Sequence, residues 1–181
     1  MRALDQARAK GIKGRSDVLT VIDYSLPSSQ PRLWVLDLAL GTVLHHELVT
    51  HGVADDRSPT EPTFSNEPGS RASSLGLYRT AEIYDSPKHG YALRLDGLER
   101  GFNHRARARA IVMHGADYAT QSYVLEHGYL GRSHGCPALP WSTTHAIIDS
   151  IAGGTFLFAY YPDPHWLATS SFLRPVRTAT R

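Results

Sequence analysis

The chain has 181 residues, 41% of them hydrophobic and 20% charged, with a formal charge of +2 and a single cysteine. That length supports one well-filled core rather than two full domains, and the composition is that of a globular protein. The small charge argues against a nucleic-acid binder, no apolar run approaches the roughly 18–20 residues of a membrane span, and one cysteine excludes an intramolecular disulfide.

In chain order, residues 1–18 predict a helical lead-in, with ALDQARAK stopping at Gly11. The opening MRALDQARAKGIK lacks the apolar stretch of a secretory signal, so either the protein is not exported or a leader has been removed. LTVIDY from Leu19 is rich in β-formers and ends in the turn-forming SLPSSQP. RLWVLDL from Arg32 and TVLHHELVT from Thr42 flank Gly41 and predict a hairpin, its first strand apolar on both faces. Residues 51–74 form a long polar excursion, a length usually functional or disordered.

Strand character resumes in SSLGLYRTAEIYD. It continues in YALRLDG, where Tyr91, Leu93 and Leu95 alternate with Ala92, Arg94 and Asp96. Arg109–Met113 predicts a short strand delivering His114-Gly115. Helices follow at Thr120–His127 and Ser142–Ala152, each closed by glycine, then a buried strand in TFLFAYY. The expected fold is mostly β (α+β), mainly antiparallel, with two or three short helices. Residues 19–165 are expected to form its main domain and 166–181 a C-terminal tail.

Cys136 sits in GRSHGCPALP, among glycines, hydroxyls and prolines rather than in an apolar run. Small neighbours let several backbone N–H groups converge, as an oxyanion hole requires. Pro137 is suited to a first helical position, so a helix beginning there would place the thiol at its positive end. Of ten histidines, five precede glycine, so that dipeptide discriminates little. His114 stands out because IVMHG mounts it at the end of a buried strand, whereas His134 reads as a substrate-orienting group.

The spacing His114-Gly115, 17 residues, then Ser133-His134-Gly135-Cys136 resembles the signature of the L,D-transpeptidases, cysteine enzymes of bacterial cell-wall crosslinking. LTVIDYSLP, RLWVLDL, FSN, SSLGLY, GLERGFN, RAIVMHGADY and GRSHGCPAL resemble the murein L,D-transpeptidase catalytic-domain branch, from about Leu19 to Tyr161. The resemblance implies an L,D-transpeptidase-like β-sandwich. It implies Cys136 as nucleophile, His114 as its base in a thiolate–imidazolium pair, and the Gly115 carbonyl orienting the imidazole.

It further implies an oxyanion hole from the N–H groups of His134, Gly135 and Cys136, next to Ser133. Tyr78 would line the groove. Pro137 and Ala138 stand where relatives carry an apolar residue and then Arg or Asn, so Asn103 or an arginine of RARAR would contact substrate instead. On their own, Arg105, Arg107 and Arg109 read as a solvated edge.

The implied partners are peptidoglycan stem peptides, with D-amino acids as acceptors and carbapenems as inhibitors; no nucleic acid and no membrane span are expected. The implied reaction is 3–3 crosslinking through a thioester, or L,D-carboxypeptidase or D-amino-acid exchange chemistry at the same site. The implied location is the periplasm or cell envelope, and no metal or other cofactor is needed. A metallohydrolase, suggested by the histidines, lacks HExxH, HxH or CxxC spacing; a non-catalytic wall-binding module is the other alternative.

Overall fold

In the computed structural model, residues 2–54 and 58–174 are described. Eight strands, β1 Val18–Asp23, β2 Leu33–Asp37, β3 Thr42–Glu47, β4 Gly76–Ser86, β5 Gly90–Gly97, β6 Val112–Gly115, β7 Ala138–Leu139 and β8 Phe156–Tyr160, form one sheet. Their order is β3-β2-β1-β8-β4-β5-β6-β7. Pairing is antiparallel except between β1 and β8 and between β6 and β7. The helices are α1 Arg2–Ala9, α2 Gln121–His127, α3 Trp141–Ile151 and α4 Pro164–Thr169. This is the mostly β, α+β class expected from the sequence.

The central strands are apolar on both faces because both are covered. Val18 and Ile22 of β1, with Leu157 and Ala159 of β8, join the cluster containing Ile147, Ile148 and Ile151 of α3. The alternate residues Leu19 and Phe156 pack with Leu4 and Ala7 of α1 and with Phe172. Adjacent side chains on a strand point to opposite faces, so one short run fills two cores. Helix α2 starts where Thr120 Oγ1 accepts from Tyr123 N at 3.3 Å and stops at Gly128, whose φ of +81° few other residues adopt.

Two expectations change, at Pro137 and at Arg109. No helix begins at Pro137: Ala138 and Leu139 are extended as β7, in parallel register with His114 and Gly115, and α3 starts at Trp141. Strand pairing has overridden the local preference of proline, which removes the helix dipole from Cys136. The segment from residue 166 packs onto the fold: Trp166 and Phe172 are fully buried, and the Trp166 indole donates to Glu99 Oε2 at 3.1 Å. Residues 175–181 of that expected tail lie outside the described residues.

Arg109 is not part of a solvated edge either. It lies in the turn before β6, and its guanidinium donates to Ser65 O (2.8 Å), Ser74 Oγ (2.6 Å), Ser70 Oγ (3.1 Å) and Ala72 O (2.7 Å). It thereby ties down the far end of the 51–74 excursion. Arg105 and Arg107 remain at the surface, paired with Glu67 and with Glu82 and Asp96.

Candidate active site

Parallel pairing of β6 with β7 brings the two halves of the site together. With His114 opposite Ala138, the residue two positions earlier, Cys136, falls beside the start of β6. The Val112 N–H donates to Cys136 Sγ at 3.5 Å, and the thiol is directed to Ala110 O at 3.8 Å. Thr50 reinforces the pairing from the other side: its N–H donates to Ala138 O at 3.0 Å, and its Oγ1 accepts from Ala138 N at 3.1 Å.

The turn before the cysteine is held by Ser133. Its Oγ donates to Cys136 O at 2.6 Å and accepts from Gly135 N at 3.1 Å, while its own N–H donates to His51 O at 3.0 Å. Gly135 has φ +110° and a side chain there would meet Ala72 O at 2.5 Å, so glycine is required on both counts. At Gly115 a Cβ would lie 2.2 Å from the Trp141 ring, so the close approach of that indole depends on the missing side chain.

These elements enclose a cleft of about 370 Å³ in which Cys136, His114 and His134 share walls with Lys88, His89 and Tyr118. Trp141 also lines it, its indole N–H held by Asp117 Oδ1 at 2.9 Å. A larger hollow of about 500 Å³, walled by Phe64, Phe102, His165 and Trp166, contains no cysteine. The smaller cleft is therefore the candidate site.

His114 is almost wholly buried, and its Nδ1 lies 2.8 Å from Gly115 O. A carbonyl can only accept, so Nδ1 carries the proton and the neutral ring presents Nε2 as an acceptor. Burial pushes the His114 pKa down to about 4, the Gly115 carbonyl partly opposing this and charge at His89 and Lys88 adding to it. Burial pushes the Cys136 thiol up, against the smaller opposing effect of the Val112 N–H.

Burial thus works against the charged form of both groups in the free protein, whereas the resemblance implies a thiolate–imidazolium pair. Among the described residues, Cys136 and His114 share no direct hydrogen bond.

Of the other expected site residues, His134 lines the cleft and Ser133 and Gly135 build the turn. Tyr78 does not line the groove: it is buried in the main core, its hydroxyl donating to Ser74 O at 2.8 Å. Asn103 is also away from the cleft, fully buried, donating to Leu77 O at 3.0 Å and accepting from Glu99 N at 2.7 Å. Both are strand and turn scaffolding. Lys88, His89, Tyr118 and Trp141 were not singled out from the sequence, since nothing in SPKHG or LPW marks them locally.

A family profile described as the L,D-transpeptidase catalytic domain matches residues 1–160. Among solved structures, an L,D-transpeptidase from Mycobacterium smegmatis is similar with a TM-score of 0.50 at 17% identity, over 81% of this chain and 59% of that one. One from Xylanimonas cellulosilytica matches at 0.45 and 17% identity, over 86% of this chain and 68% of that one. One from Stackebrandtia nassauensis matches at 0.46 and 14% identity, over 88% and 65%.

The chain thus spans about three-fifths of the Mycobacterium smegmatis protein's length, and at 17% identity that likeness is one of fold. No curated protein matches the chain. Because the profile covers most of the chain and includes both His114 and Cys136, the protein belongs to the L,D-transpeptidase catalytic-domain family.

Proposed function

We propose that the cleft is a cysteine acyltransferase site for peptidoglycan stem peptides. The observation that carries this reading is the His114 Nδ1–Gly115 O contact at 2.8 Å, which leaves Nε2 as a base in the cleft that also holds Cys136. In the first step His114 Nε2 takes the thiol proton as Sγ attacks the carbonyl carbon of the third stem residue. The C–N bond to the terminal D-alanine then breaks, and that amine leaves with the proton from His114.

The resulting thioester is opened by an acceptor amine of a second stem, which gives a proton to His114. Collapse breaks the C–S bond and returns the proton to sulfur. Water in place of the amine makes the same site an L,D-carboxypeptidase, and a free D-amino acid gives exchange. Transfer in concert with substrate binding suits a pair whose charged forms burial disfavours, since hydrogen bonds of this kind tighten in the substrate complex.

The N–H groups of His134 and Cys136 have no acceptor among the described residues, whereas that of Gly135 is taken by Ser133 Oγ. The oxyanion is therefore assigned to His134 and Cys136, each well-aimed donor contributing about 3 kcal/mol. A peptidoglycan substrate places the protein in the periplasm or cell envelope.

Incubation with a disaccharide-tetrapeptide and mass spectrometry of the products tests the reading: dimer, tripeptide or D-amino-acid-exchanged product is expected. Intact mass after carbapenem treatment should show an acyl adduct on Cys136. Absence of both, with Cys136 still open to a small alkylating reagent, would leave a wall-binding module and sink the enzyme reading.

A further inference from the structure

The imidazole of His89 lies face to face with that of His114, ring centroids 3.9 Å apart and planes inclined by 28°. His89 comes from the loop joining β4 to β5, where Ser86 pairs with Gly90 and Ser86 O accepts from His89 N at 3.2 Å. Gly90 takes φ +61° to close that turn, and Ala92 of β5 pairs with His114 of β6, so the hairpin register carries His89 alongside the base. Among the described residues the His89 ring makes no hydrogen bond, which leaves the stack and the cleft as its environment.

We propose that His89 is a positioning residue for His114, fixing the plane of its ring and covering one of its faces; this rests on the acyl-transfer reading above. The Gly115 carbonyl restrains one atom of the His114 ring and still permits tilting about that contact. A second ring stacked at van der Waals distance removes that freedom and keeps bulk water from one face.

The other charged and titratable groups facing the pair are Lys88 on the same hairpin, Asp117 and Tyr118 after β6, and Arg132, His134 and Cys136 on the turn. None of these is a ring stacked on His114.

The test uses His89→Ala, His89→Phe and, as a control for the site itself, His114→Ala. It reads iodoacetamide alkylation of Cys136 from pH 5 to 9 and the NMR titration of the His114 ring. His89→Ala should slow alkylation about three- to tenfold near neutral pH and move the His114 titration up towards its ordinary value, because burial is relieved. His89→Phe should restore the rate to within about twofold, since a phenyl ring stacks without a titrating nitrogen.

If His114→Ala slows alkylation and His89→Ala does not, the positioning role is overturned while the site reading stands. A His89→Phe variant as slow as His89→Ala would also overturn it, by showing that the nitrogens matter and the stack does not. Wild-type rates in His114→Ala would overturn both.

Discussion

Cys136 and His114 are only 8% and 2% exposed, and that burial disfavours the charged form of each. Alkylation of Cys136 in the free protein should therefore rise with pH through an inflection above the ordinary thiol value, with no plateau towards pH 5. A plateau extending to acid pH would mean that the thiolate–imidazolium pair is already formed. Cys136→Ala should abolish acyl-adduct formation yet change stability by less than about 1 kcal/mol, since a small turn residue is exchanged for one of similar volume; product assays and urea midpoints read the two effects separately.

The same burial has a cost in acid. His114 titrates at about 4 and buried His51 at about 3 in the fold, the latter through desolvation and then the charges of Arg32 and Arg132, against an ordinary 6.5 for both. Between those values the unfolded chain binds protons that the fold refuses. Stability is then full above pH 6.5 and falls as pH drops towards 4. Urea unfolding at pH 7.0 and 4.5 should show that loss, and His114→Gln should reduce it; an unchanged difference would mean that the buried imidazoles do not govern it.

At the scale of elements, periodicity was enough to locate most strands and helices, because alternation and glycine stops act over a few residues. Ile147, Ile148 and Ile151 do form the buried face of α3, and Gly128 does close α2. The misreading at Pro137 has a different origin. Its neighbours become β7 only because Thr50 and β6, distant in sequence, supply hydrogen-bond partners.

Arg109 shows the same limit: RARAR looks uniform, yet one of its arginines binds the 65–74 segment through four donors while the others face solvent. Arg109→Ala should destabilise the fold by about 2 kcal/mol, a half-buried charged donor set losing several acceptors at once. Proteolysis should then cut within 58–74 faster than in wild type. Cleavage at the wild-type rate would show that the excursion is held by other contacts.

For the molecule as a whole, Glu99 joins the sheet to the C-terminal segment. Its Oε1 accepts from Leu77 N at 2.9 Å, and its Oε2 accepts from the Trp166 indole at 3.1 Å and Ser170 Oγ at 2.8 Å. Glu99→Ala leaves buried donors unmet and should cost about 2–4 kcal/mol in a urea titration, with Cys136 alkylation in the folded protein unchanged because the cleft lies elsewhere. A loss below 1 kcal/mol would mean that α4 is held by its apolar contacts alone.

By itself the sequence determined which chemistry is present: one cysteine in a turn of small residues, a histidine at a strand end, their spacing, and strands apolar enough to need cover on both faces. Only the tertiary structure decided what that chemistry does at rest. It buried both partners of the expected ion pair, withdrew Tyr78 and Asn103 into the scaffold, and set His89 on His114. Residue type and spacing are local properties of the chain; burial, ring contacts and protonation depend on what distant segments bring to the same place.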